Sequence, residues 1–175
     1  STTGGNDGIF ARTTGASSTT VNVGGTTKGQ ATGVRAQNFP ASTGTVNVND
    51  AGGFAITGVT EDGIQTFAGS GTTNIGSGAG NRITGAVLGG DDGIEATSAG
   101  SINVFTGSDI TGQGDDGVFA STTGAGVAVV INTTGGAIKA QTDGIDASAT
   151  AAGSTINVTN TDSVNVATGA GIVAA

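Results

Sequence analysis

Cysteine, histidine, methionine, tryptophan and tyrosine are all missing from the 175-residue chain, and proline occurs once, as Pro40. Without cysteine there is neither a disulfide framework nor a thiolate metal site. With no histidine and no cysteine, the usual nucleophile–base pairings of covalent catalysis have no candidates. Near-absence of proline, with no glycine at every third position, excludes a collagen helix. No run of 18 apolar residues exists, so no segment reads as a membrane-spanning helix. Leu, Lys, Glu and Gln are scarce, and no apolar pattern has a 3.6-residue period, so almost no helix is expected. Basic residues number five (Arg12, Lys28, Arg35, Arg82 and Lys139) and are scattered through a chain of net charge −8. Nucleic acid and anionic membrane surfaces are repelled by that balance and are excluded as expected partners.

Glycine is abundant instead, with 35 residues, accompanied by Thr, Ser, Asn and Ala. Such a composition suggests low complexity, but its aliphatic residues come in ordered bursts: Val21-Asn22-Val23, Val46-Asn47-Val48, Ile102-Asn103-Val104 and Ile156-Asn157-Val158. Branched residues flanking a polar one are a period-two strand signal.

A longer repeat organises these bursts. Gly-(Ile/Val)-x-Ala, usually preceded by Asp and with Thr66 in place of Ala in the third copy, recurs with its glycine at Gly8, Gly33, Gly63, Gly93, Gly117, Gly144 and Gly171. The intervals are 25, 30, 30, 24, 27 and 27 residues. Between successive copies lies a Val-Asn-Val element, with variants Thr73-Asn74-Ile75 and Val129-Val130-Ile131. After it comes a shorter Ile-Thr element: Ala55-Ile56-Thr57, Arg82-Ile83-Thr84, Asp109-Ile110-Thr111 and Ala137-Ile138-Lys139. Ser163-Val164-Asn165-Val166 takes that place in the last repeat, and the first has only Thr26-Thr27. Each repeat therefore contains three short strands separated by Gly/Ser/Thr/Asn turns. One repeat buries too few aliphatic side chains to offset the ordering of its own backbone. Stacked repeats pair every strand above and below, which solves that problem. The expected fold is all-β, a right-handed parallel β-helix of about six coils of roughly 27 residues, forming a single β-solenoid domain over 1–175. The preference for right-handed crossovers sets the expected hand, and six coils at about 4.8 Å make a rod of roughly 30 Å.

Repeated Asp-Gly-Ile-x-Ala, then Gly-x-Val-x-Val, then Gly-x-Ile-Thr resembles the passenger domains of autotransporters and related large bacterial surface exoproteins. The resemblance extends over essentially the whole chain. It implies secretion with an N-terminal signal and a C-terminal translocator barrel. Passengers on this scaffold include adhesins, proteases and lipases. The chain starts at Ser1 and shows no signal peptide, and is expected to be a processed chain or part of a longer one.

Asp62, Asp92, Asp116 and Asp143, with Asp7 in the first repeat, fall at equivalent positions before the corner glycines; Glu61, Asp91 and Asp115 form a partial second column. The expected role of the first column is structural, each carboxylate capping backbone N–H groups at its Gly turn. Calcium at Asp62, Asp92, Asp116 and Asp143 is the alternative, although that ion takes six to eight oxygens. Gly4-Gly5-Asn6-Asp7-Gly8 and Gly89-Gly90-Asp91-Asp92-Gly93 lack the third glycine of the calcium-binding nonapeptide. The adjacent pairs Asp91/Asp92 and Asp115/Asp116 are the only carboxylate pairs offered for glycoside chemistry, and they recur with the repeat. Threonine pairs lack the repeated Thr-x-Thr of an ice-binding face. Asn22, Asn47, Asn103 and Asn157 form a partial amide ladder. Phe10 and Phe119 share an outward column with Arg35, Gln65, Glu95, Asp146 and Val173, and two separated aromatics make no platform. No catalytic residue and no cofactor are expected. The functional expectation is a non-enzymatic structural or adhesive rod outside the cell or on a bacterial surface. Its expected partners are itself, a host or neighbouring cell surface, or glycans. A filament subunit stacking through open ends and a polysaccharide-acting enzyme are the alternatives.

Overall fold

The computed structural model describes residues 2–3, 5–39, 42–50, 52–77 and 81–175, and among these there is no helix. Gly4, at the start of the first glycine-rich stretch considered for calcium, lies outside the described residues. Three parallel sheets run along the axis of a solenoid of about six turns. The glycine-corner sheet stacks Ile9–Thr13, Val34–Asn38, Ile64–Ala68, Ile94–Ser98, Val118–Thr122, Ile145–Ala149 and Ile172–Ala174. The asparagine sheet stacks Thr19–Val23, Val46–Asp50, Thr73–Ile75, Ile102–Thr106, Ala128–Thr133 and Thr155–Asn160. The short-strand sheet stacks Thr2–Thr3, Thr27–Gly29, Ile56–Gly58, Val87–Gly89, Ile110–Gly112, Ala137–Ala140 and Ser163–Val166.

Alternation puts the aliphatic set inside, because successive side chains of a strand face opposite ways. Val34, Ile64, Ile94, Val118 and Ile145 pair in register and are fully buried. Beside them stand Ala36, Thr66, Ala96, Ala120 and Ala147, also buried. The other two sheets close the core with residues such as Val48, Ile75, Val104, Ile56 and Ile110. Every backbone ladder bond joins one coil to the next, so no coil is satisfied alone. The last coil leaves its inward-facing Ile172 45% exposed.

Two expected registers differ. Val87, not Ile83, continues the short-strand column, pairing with both Ile56 and Ile110. Ile83 bridges Thr106 and so completes the asparagine sheet's third strand; residues 78–80 lie outside the described ones. Ile75 pairs with Val104, and where Phe105 alone separates Val104 from Thr106, seven positions separate Ile75 from Ile83. The insertion lengthens the coil without shifting the core. Asn22 likewise pairs with Asn49, while Thr20 pairs with Asn47. A slip of two residues keeps each side chain on its own face, so a Val-Asn-Val motif alone cannot distinguish these registers.

The corner glycines have ordinary negative φ angles. Close approach requires them instead at every corner but the last, where a Cβ on Gly171 would meet only Val164 Cγ1 at 3.9 Å. A Cβ built on Gly93 would lie 2.5 Å from the Gly117 carbonyl oxygen and 2.5 Å from Ile110 Cγ2. Gly33, Gly63, Gly117 and Gly144 meet the same pair of obstacles, the next coil's glycine carbonyl and a short-strand side chain.

Candidate functional site: the acidic corner and its outer face

At each corner the Gly and Ile N–H groups donate to the next coil, Gly93 N–H to Asp116 O at 2.9 Å and Ile94 N–H to Gly117 O at 3.0 Å. The Asp N–H has no equivalent carbonyl below it, and a side chain replaces it. Asp62 Oδ1 accepts from Asp92 N–H at 3.2 Å, Asp92 Oδ1 from Asp116 N–H at 2.7 Å, and Asp116 Oδ1 from Asp143 N–H at 2.9 Å. Asp143 Oδ1 accepts from Ala170 N–H at 2.5 Å in the coil that lacks an Asp. The carboxylates therefore cap backbone donors, as expected, but they cap those of the neighbouring coil rather than of their own turn. Thr32 occupies the column in the second coil and separates Asp7 from the ladder; Asp7 faces Arg35 instead, 3.7 Å away.

Outside the ladder lies a hollow of about 520 Å³ lined by Arg35, Glu61, Asp62, Gln65, Asp91, Asp92, Glu95, Asp115 and Phe119. Arg35 bonds Glu61 and Thr32 at its upper end. Gln65 Nε2 donates to Asp62 Oδ2 at 2.8 Å and to Glu95 Oε2 at 2.6 Å. Burial pushes the Asp62 carboxyl up to about 8, helped by Glu95 and Asp92, against an ordinary value of 3.8. Asp92 is raised to about 7 chiefly by burial, with Asp116, Asp91 and Asp115 adding to the rise and its bond from Asp116 N–H opposing it. Asp91 and Asp146 are also raised, first by desolvation and then by neighbouring carboxylates. Like charges this close favour retention of a proton.

Among the described residues, Asp92, Asp115 and Asp116 each place an oxygen within 4.8 Å of the others, a grouping that could hold a cation. Asp62 and Asp143, the other calcium candidates, belong to the same ladder but not to that cluster. Thr142 Oγ1 already donates to both Asp115 and Asp116. With one oxygen from each carboxylate, the cluster would supply three of the six to eight oxygens of a calcium shell.

Three features escape the sequence reading. Asp50 is 5% exposed and holds two coils together: Oδ1 accepts from Phe54 N–H at 3.1 Å, and Oδ2 from Gly85 N–H at 2.7 Å. Its position after Val-Asn-Val, where other coils carry Thr133 or Thr106, is the one available signal. The amide ladder runs through Asn74, whose Nδ2 donates to Asn47 Oδ1 while its Oδ1 accepts from Asn103, both at 2.9 Å. Asn22 belongs to a separate pair with Asn49, and Val130 separates Asn157 from the ladder. Finally, Phe39 and Phe67 join Phe10 near Arg12, so the aromatics of this face are more numerous than the Phe10/Phe119 column alone. Two further hollows, of about 210 and 340 Å³, are lined in part by Phe67 and lie on the same glycine-corner face as the acidic one. No family model, curated protein or solved structure matches this chain.

Proposed function

We propose that the chain is a rigid, non-enzymatic β-solenoid of the extracellular space or bacterial cell surface that spaces and displays a binding face, in the manner of autotransporter passengers, which its repeat motifs resemble. The carrying observation is the coil-to-coil continuity of its bonding. Backbone ladders, the Asp62–Asp143 column and the Asn47–Asn103 column all link successive coils, which stiffens a structure against bending rather than shaping a mobile cleft. The concavities on the glycine-corner face supply the displayed surface, with cell-surface groups and glycans as its partners. An antibody raised against the purified chain tests this reading. Staining of intact, unpermeabilised source cells or of their medium is expected, and staining only after permeabilisation overturns it.

A second reading, a polysaccharide-acting enzyme, draws on one observation. Asp62 and Asp92 hold protons near neutral pH in an open groove, the property a general acid needs. Turnover of acidic polysaccharides, assayed with and without calcium, decides between the two; loss of such turnover in Asp92→Asn would place the acid.

A further inference from the structure

The outer end of the glycine-corner face carries chemistry that the rod itself does not need. Phe10 is 53% exposed and Phe39 is 41% exposed, although burying such rings is what normally stabilises a fold. Arg12 sits between them, its guanidinium carbon 4.7 Å from the Phe39 ring centre and 5.9 Å from that of Phe10. Phe39 and Phe67, with Arg12 and Gln37, line the hollow of about 210 Å³.

Arg12 differs from the other two arginines. Arg35 pairs with Asp7 and Glu61, and Arg82 donates to Thr106 O and to Asn132 O and Oδ1. Among the described residues Arg12 has neither an ion pair nor a hydrogen bond, so its donor fork is held against aromatic faces with its N–H groups unused. The Gln37 amide, one coil further in the same outward column, likewise bonds no protein group among the described residues. Charge sets the sign of the ligand. Positions 1–40 hold Arg12, Lys28 and Arg35 against Asp7 alone, a net +2, while the remainder of the chain carries −10 to make the total of −8.

We infer that Arg12, Phe39, Phe67 and Gln37 form a binding site for one sugar residue bearing a carboxylate, of the uronic-acid class. An aromatic ring offers its face to the C–H face of a pyranose, the guanidinium fork matches a carboxylate, and an amide reads a hydroxyl. The hollow is smaller than a drug-sized pocket, which suits a single ring. Further along the face, Glu95 and Asp115 repel a second anionic residue, so recognition is of a chain end or branch. This inference rests on the glycan-displaying reading proposed above, but its test is separate.

Titration of the full chain with trigalacturonate and with neutral maltotriose, followed by calorimetry, tests it. Trigalacturonate is expected to bind at least about tenfold more tightly than maltotriose, and Arg12→Gln and Phe39→Ala each to weaken that binding by about tenfold or more. Lys28→Gln removes the same charge from another face and is expected to leave binding within about twofold, since it contributes only a screened long-range field. No binding of trigalacturonate, equal binding of maltotriose, or equal losses in Arg12→Gln and Lys28→Gln would each overturn the site. Antibody staining of intact cells is independent of all three results, so the rod reading stands or falls by itself. The substituted side chains are exposed, and unchanged thermal unfolding of each variant confirms that the comparison is between folded chains.

Discussion

The aspartate column and the asparagine column make an instructive pair. Both stack equivalent side chains coil upon coil, and in both the donor belongs to the later coil and the acceptor to the earlier one. An asparagine amide carries its own donor and acceptor, so a column of them satisfies itself. A carboxyl group carries no N–H of its own, and its Oδ1 accepts the N–H of the next coil's backbone. The neutral column is therefore an addition to the outside of a sheet. The acidic column is part of the backbone's own bonding at a corner where the ladder would otherwise lose a donor. Val130 stands in the asparagine column among fully paired strands, which shows that column to be dispensable at one coil.

Substitutions can break this contrast in order of size. Gly93→Ala should cost most, about 3 kcal/mol or more, because its methyl would drive into the Gly117 carbonyl and Ile110. Chemical denaturation measures it, and a cost below about 1 kcal/mol would show that the corner can open. Asp116→Ala should cost about 1–3 kcal/mol by orphaning the Asp143 N–H, whereas Asp116→Asn, which keeps an acceptor, should recover most of that loss. If the two variants are equally destabilised, the carboxylate's charge rather than its acceptor matters at the corner.

The acidic column should also respond to pH where the neutral one does not. Asp62 and Asp92 keep their protons up to about 8 and about 7 when folded, but lose them near 3.8 in an unfolded chain. The folded state therefore binds more protons between those values, and stability must fall as pH rises from about 4 to about 8. Melting should occur several degrees higher at pH 5 than at pH 8, at about 2–4 °C per kcal/mol for a chain of this size. Asp62→Asn should flatten the profile; a flat profile in the unsubstituted protein would mean the pair ionises freely when folded. The smallest effect is expected from Asn74→Val, about 1 kcal/mol or less at any pH, since valine already occupies that column at Val130.

The architecture was legible because its signal is repeated. Seven Gly-(Ile/Val) motifs, six of them completed by Ala and one by Thr66, fix one sheet's register with no help from loops, and the outward column from Phe10 to Val173 emerges as read. The misreadings share a cause. Ile83 looks like a short-strand residue because Arg82-Ile83-Thr84 imitates Ala55-Ile56-Thr57, and only the pairing across coils shows that Val87 takes that column. The corner glycine could be taken for a turn residue, but a clash with the next coil is invisible within one repeat. Phe39 follows the strand that ends at Asn38 and precedes Pro40, so no periodicity assigns it a face. The carboxylates' partners, too, lie 24–30 residues away in sequence.

Because every ladder bond joins successive coils, the coil is also the unit in which the molecule yields to force. Tension applied across the two ends loads the outermost coil first, and its release passes the load to the next without weakening those beyond. Each event frees 24–30 residues, about 80–100 Å of chain at about 3.4 Å per residue. Extension in a single-molecule pull should therefore advance in steps of that length. A segment built this way lengthens under shear one coil at a time and keeps the rest of its surface intact.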